Sequence, residues 1–83
     1  MAWFTYILEC RDGTLYTGIT TDLEKRVIKH NDGTAAKYTA TRRPVKMLWH
    51  ESCADRSTAT KRELEIKSLS RQEKLKLLSS GAE

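Results

Sequence analysis

The feature that most constrains this chain lies at its start. Residues 3–8 and 15–20 are two short runs rich in aromatic and β-branched side chains, and between them stands Arg11-Asp12-Gly13-Thr14. Such runs favour a pleated backbone, where bulky side chains pack against cross-strand neighbours. Asp-Gly is a turn signal, because glycine accepts backbone angles that other residues avoid. The short separation points to a β-hairpin.

The rest of the chain supplies helices and one more strand. Thr21-Asp22-Leu23-Glu24 has the form of a capping box, with Thr21 as N-cap and Glu24 three positions on. Leu23, Val27 and Ile28 give an apolar helical stripe, and Gly33 is placed to close it, so a helix is expected over about 22–31. Residues 34–44 are polar and basic without a period, and are expected as a loop ending at Pro44. Residues 45–51 alternate, with Val45, Met47 and Trp49 on one face of a third strand. Residues 53–57 read as a loop, and Ser57 is expected to cap a second helix through about residue 69. Ser70-Arg71-Gln72-Glu73 is a second capping box, opening a helix to about residue 79 that Gly81 ends. The expected order is β-β-α-β-α-α, an α+β fold with helices packed on a small sheet.

Composition bounds the function classes. The chain has 83 residues, 15 of them Lys or Arg and 11 Asp or Glu, for a net charge of +4. That suits one small soluble domain over residues 1–83. No apolar run approaches the ~20 residues of a membrane span, and the N-terminus lacks the basic start of a signal peptide. Two cysteines, Cys10 and Cys53, without a CxxC make neither a disulfide framework nor a zinc site, so a cytoplasmic location is expected. The basic balance permits a polyanionic partner without requiring one.

Several residues could carry chemistry. Tyr6 and Tyr16 lie in the two hairpin strands, and Gly18 leaves room in its strand for a close approach; packed strand tyrosines are the plainer alternative. Arg26 and His30, four apart, share a helix face. There an arginine can present its fork to a phosphate and a histidine can move a proton. A single carboxylate, Glu63 or Glu65, could hold Mg²⁺ with substrate oxygens and waters; an i,i+4 pair between Glu63 and Lys67 is the competing role. Lys37, Tyr38, Arg42 and Arg43 in the long loop suit phosphate contacts and stacking.

In order and spacing, these residues resemble the GIY-YIG nuclease superfamily, and in particular the small stand-alone bacterial proteins of the YhbQ-like group. The likeness runs from Trp3 to about Leu78, is strongest in LYTGITTDLEKRVIKH, and extends through RRPVKMLWHES and RELEIKSLSRQEKLKLL. Tyr6 matches the tyrosine of the GIY element, here Phe4-Thr5-Tyr6. Tyr16 and Gly18 match the YIG element, here Tyr16-Thr17-Gly18. Arg26 and His30 match the family arginine and histidine of the first helix, and Glu63, rather than Glu65, matches the metal-binding glutamate. An asparagine that some family members use on a late helix has no counterpart, since no Asn follows Asn31.

The resemblance implies a three-stranded antiparallel sheet flanked by helices. It also implies a divalent-metal endonuclease, using Mg²⁺ or Mn²⁺, that cuts phosphodiester bonds. DNA is expected ahead of RNA, with recognition by shape, in repair or recombination. Tyr6, Tyr16, Arg26, His30 and Glu63 would be catalytic, with either tyrosine as the base. Lys25, Lys29, Lys37, Tyr38, Arg42 and Arg43 would hold nucleic acid. The alternatives are a binding module with this fold and little turnover, and a protein-interaction domain. Targeting would come from this surface or from a protein partner.

Overall fold

The computed structural model describes residues 2–80. Its elements are β1 (Trp3–Glu9), β2 (Leu15–Thr20), α1 (Leu23–Asp32), α2 (Lys37–Ala40), β3 (Lys46–Cys53), α3 (Arg56–Lys67) and α4 (Arg71–Ser80). The strands form an antiparallel sheet in the order β2-β1-β3. Thus the α+β class and the flanked three-stranded sheet hold, with one short helix, α2, added inside the expected loop.

The hairpin follows from its turn. Gly13 has φ +84°, a left-handed conformation that glycine adopts without a Cβ clash. Asp12 accepts from the Thr14 amide at 3.1 Å and the Thr14 hydroxyl at 2.7 Å, which fixes the reversal. The ladder then sets Leu8 opposite Tyr16 and Tyr6 opposite Gly18.

Residues opposite one another in a ladder share a sheet face, so the two faces can be read from register and packing together. On one face Tyr6, Leu8, Cys10 and Val45 are buried, with Tyr16, Met47 and the α1 residues Leu23 and Val27 against them. On the other, Ile7, Trp49 and Ile66 of α3 are buried, with Leu15 and the α4 residues Leu77 and Leu78 against them. Ile7 and Ile66 are fully buried, each worth ~1.5–3 kcal/mol.

The expectation that Val45, Met47 and Trp49 share one face is corrected here. Leu8 pairs with Met47 but Ile7 pairs with Trp49, so Leu48 is an extra residue in β3. Such a bulge breaks the two-residue period, and Trp49 passes to the α3 face while Val45 and Met47 stay on the α1 face. β3 also begins at Lys46 and runs on to Cys53.

Helix boundaries bring further corrections. The N-cap of α1 is Asp22, not Thr21: its carboxylate accepts from the Lys25 amide at 3.0 Å. The N-cap of α3 is Asp55, not Ser57, accepting from the Thr58 amide at 2.8 Å, and the helix stops at Lys67. In both places a carboxylate, a strong cap and favourable at the positive end of the helix dipole, displaces a hydroxyl. The box before α4 forms as expected: the Ser70 amide donates to Glu73 and the Glu73 amide to Ser70 Oγ. Gly33 closes α1 at φ +87°. The expected stop at Gly81 lies outside the described residues.

Candidate active site

The centre of the site is the Tyr6 side chain, fully buried on the α1 face. A methyl group at Gly18 would stand 2.5 Å from Tyr6 Oη and 2.7 Å from its Cζ. The Tyr6 ring therefore crosses β2 at the one position where no side chain stands in its way. Gly18 acts here through the space it leaves, not through an unusual backbone angle.

The chain end of that tyrosine is held from α1. Tyr6 Oη is 2.9 Å from His30 Nε2, and Arg26 Nε donates to it at 3.2 Å. Arg26 and His30 are one helical turn apart, so both reach the same point. The His30 ring is fully buried, and its Nδ1 is 2.8 Å from Thr39 Oγ1 on α2. Thr39, also fully buried, donates its hydroxyl to Ala36 O at 3.3 Å.

Aromatic rings enclose this chain. Tyr6 and Tyr16 both meet the His30 ring edge-on, with centroids at 6.0 and 5.2 Å. Tyr16 stacks on Tyr38, centroids 5.7 Å apart at 29°, and the Arg42 guanidinium lies 4.1 Å from the Tyr38 centroid.

Burial governs protonation in this cluster. It depresses the His30 pKa from 6.5 to about 4, and the Arg26 charge adds in the same direction. His30 is thus a neutral imidazole at pH 7. Burial also raises the Tyr6 pKa above its ordinary value. The Arg26 hydrogen bond and charge oppose that rise, while Tyr16 and the Glu63 carboxylate reinforce it. Tyr6 stays a phenol, and Glu63 is near enough in space to be felt at its oxygen.

Glu63 comes from α3, the helix that covers the opposite face of the sheet. It is half-buried and meets Lys67 Nζ at 3.3 Å, so the i,i+4 pair weighed from sequence does form. Glu65 is exposed and pairs with Arg62. Among the described residues no three His, Cys, Asp or Glu side chains gather to hold a metal ion. A lone carboxylate still fits Mg²⁺ or Mn²⁺, which keep several waters and take substrate oxygens as ligands.

The structure therefore brings Tyr6, Tyr16, Arg26, His30 and Tyr38 together, and sets Glu63 within electrostatic reach. The basic residues are divided. Lys25, Lys29 and Lys37 are exposed. Arg42 is tied to the Asp12 carboxylate at 3.2 Å and to Tyr38 O at 2.8 Å. Arg43 donates to Ala40 O and packs over Gly33 at the end of α1, away from the tyrosine cluster.

Three residues escaped the sequence reading. Thr39 is one; the run Lys37-Tyr38-Thr39-Ala40 is a single helical turn, too short for a periodic signal. Arg71 and Lys74 of α4 are the others. With Thr14, Leu15 and Tyr38 they line a cavity of about 220 Å³ beside the aromatic stack. Basic residues among the leucines of a closing helix carry no local mark of such a position.

Comparison with known proteins identifies the family. Residues 2–76 match the GIY-YIG catalytic domain. A UPF0213 protein of Staphylococcus saprophyticus is 56% identical over 78 residues, covering 94% of this chain and 95% of the relative. Another from Desulfotalea psychrophila is 51% identical, covering 96% and 74%. The solution NMR structure of the UPF0213 protein BH0048 from Bacillus halodurans superimposes with a TM-score of 0.62 at 43% identity, covering 95% of this chain and 84% of that one. That of EF2693 from E. faecalis gives 0.66 at 45%, covering 96% and 85%. The arginine, histidine and tyrosines gathered around the Tyr6 hydroxyl and the His30 ring are set in a nuclease-type fold, and the chain belongs to the GIY-YIG family, similar over nearly its whole length to the small bacterial UPF0213 proteins.

Proposed function

We propose that this protein is a divalent-metal-dependent endonuclease, acting through residues 1–83 as one catalytic unit in the cytoplasm. It hydrolyses DNA phosphodiester bonds in branched, flapped or single-stranded structures during repair or recombination. The observation that carries the reading is the Tyr6 hydroxyl, held between the Arg26 guanidinium and a neutral, buried His30.

Water attacks the phosphorus in line with the leaving oxygen. Tyr6 Oη takes the proton of that water while its own proton passes to His30 Nε2, so a free phenolate at a raised pKa need not accumulate. Tyr6 is fully buried, so the attacking water reaches its oxygen only where the substrate opens the surrounding side chains. Arg26, already aligned by Tyr6, directs its remaining N–H groups to the phosphate oxygens and stabilises the charge that develops there. Glu63 would hold Mg²⁺ or Mn²⁺, which when bound would supply Lewis-acid charge neutralisation to the phosphate. Lys25, Lys29 and Lys37 give a sequence-independent backbone attraction. Arg71, Lys74 and Tyr38 receive the strand beside the aromatic stack.

The test is nicking of a panel of DNA and RNA shapes with Mn²⁺ or Mg²⁺. Cleavage should favour DNA junctions, flaps or single strands. Arg26→Ala and Glu63→Ala should each lower it at least ~10²–10³-fold with an unchanged circular dichroism spectrum. Cleavage surviving both changes would sink the mechanism. Salt-sensitive binding with no cleavage in any metal would instead favour a binding module, a reading to which the Glu63–Lys67 pair lends support.

A further inference from the structure

The relay drawn above needs His30 Nε2 to be bare of hydrogen when it faces Tyr6. We propose that Thr39 is the positioning residue that ensures this, by holding the His30 proton on Nδ1. The inference rests on the Tyr6–His30 reading and adds a residue to it that does not itself meet substrate.

A threonine hydroxyl has a single proton. Ala36 O, 3.3 Å from Thr39 Oγ1, offers that proton an acceptor, which frees the oxygen to accept from the imidazole 2.8 Å away. With the His30 hydrogen on Nδ1, Nε2 presents a lone pair to Tyr6 Oη at 2.9 Å. Tyr6 donates there and accepts from Arg26 Nε. Every polar atom in the buried chain has its partner.

The opposite tautomer breaks the pattern. With hydrogen on Nε2, Tyr6 Oη would face two donors, His30 and Arg26, and its own proton would have no acceptor among these groups. Tyr6, His30 and Thr39 are all fully buried, and a buried donor without an acceptor is costly. Thr39 also remains an acceptor for Nδ1–H after His30 has taken a second proton, so it supports both states of the relay. The arrangement follows the general rule that the partner of one imidazole nitrogen decides what the other can do.

The place of Thr39 in the fold suits this role. It stands on α2, a helix of four residues whose contact with α1 brings its hydroxyl against the His30 ring. The same short helix carries Tyr38, whose ring stacks on Tyr16. One turn of helix therefore sets both the tautomer of His30 and the packing of the second tyrosine.

The experiment is ¹⁵N–¹H long-range NMR of the imidazoles in the full chain at pH 7, with His30 and His50 distinguished by a His50→Gln variant. Wild type should show His30 with hydrogen on Nδ1. Thr39→Ser should keep that tautomer, and Thr39→Val should shift it toward Nε2–H. Where cleavage is measurable, the valine variant should lose about 10–100-fold in kcat with KM little changed, and serine should restore it. An Nε2–H tautomer in wild type overturns the inference, as does an unchanged tautomer in Thr39→Val. If the valine variant does not fold, the wild-type tautomer decides alone. If no nucleic acid is cut, the tautomer is still read, so failure of the nuclease reading and failure of this one are separable.

Discussion

The two faces of the sheet are built on different principles. The face under α3 and α4 is apolar: Ile7, Trp49 and Ile66 fill it, and there the Thr5 hydroxyl donates to Ala59 O at 3.0 Å and lies 3.7 Å from Cys53 Sγ. The face under α1 and α2 buries a polar chain from Arg26 through Tyr6 and His30 to Thr39. An apolar face gains stability from area and tolerates rearrangement. A buried polar chain is costly when any member is removed, but it holds groups in one orientation. We read the first face as the support and the second as the place where chemistry is arranged. Glu63 is the exception, reaching from the supporting helix to influence Tyr6.

That division can be broken by experiment. The largest expected effect on stability is from Ile66→Ala, which should cost ~2–5 kcal/mol by urea unfolding. Cleavage per folded molecule should hardly change; a loss comparable to that of Arg26→Ala would mean the two faces are not separable.

Acid should act on the other face. The unfolded chain protonates His30 near 6.5 and the folded chain near 4, so the unfolded state binds the proton first. The stability from a neutral His30 is complete above 6.5 and is lost as the pH falls toward 4, by about 3 kcal/mol over that window. The comparison of unfolding midpoints against pH in wild type and His30→Gln isolates it: the wild-type curve should fall more steeply. Parallel curves would show that His30 does not titrate as its burial demands.

Gly18→Ala comes next. Its Cβ would overlap the Tyr6 ring, so a cost of ~1–3 kcal/mol is expected. Because the tyrosine must move, cleavage should drop by about 10²-fold, more than the stability loss accounts for. Normal activity in a folded variant would remove Tyr6 from the chemistry. The smallest effect is that of Asp55→Ala, which removes the N-cap of α3 and should cost ~1 kcal/mol in thermal unfolding. A larger fall would indicate that the start of α3 also sets the position of Glu63.

Much of this architecture was legible in the chain. The hairpin, the stripe of α1, the Gly33 stop and the box before α4 rest on signals within a few residues, and each appears in the structure. The caps of α1 and α3 shifted because an aspartate stood one residue after Thr21 and another two residues before Ser57. The bulge at Leu48 left no local mark, since alternation alone cannot announce where an extra residue falls.

The residues of the site show the same boundary. The helical period placed Arg26 beside His30, and the family resemblance singled out Tyr6, Tyr16, Arg26, His30 and, of the two glutamates, Glu63. What the sequence by itself determined was local: which segments are strands or helices, which side chains share an element's face, and which family the chain resembles. Only the tertiary structure decided that Tyr6 lies over Gly18, that Thr39 meets His30 from a separate helix, that Arg42 and Arg43 are tied to the chain's own carboxylate and carbonyls, and that the Glu63 charge on α3 adds to the upward shift of the Tyr6 pKa. The reason is physical. Periodicity and capping are read over single turns, whereas burial and the pairing of polar atoms depend on which distant segments the packed sheet brings together.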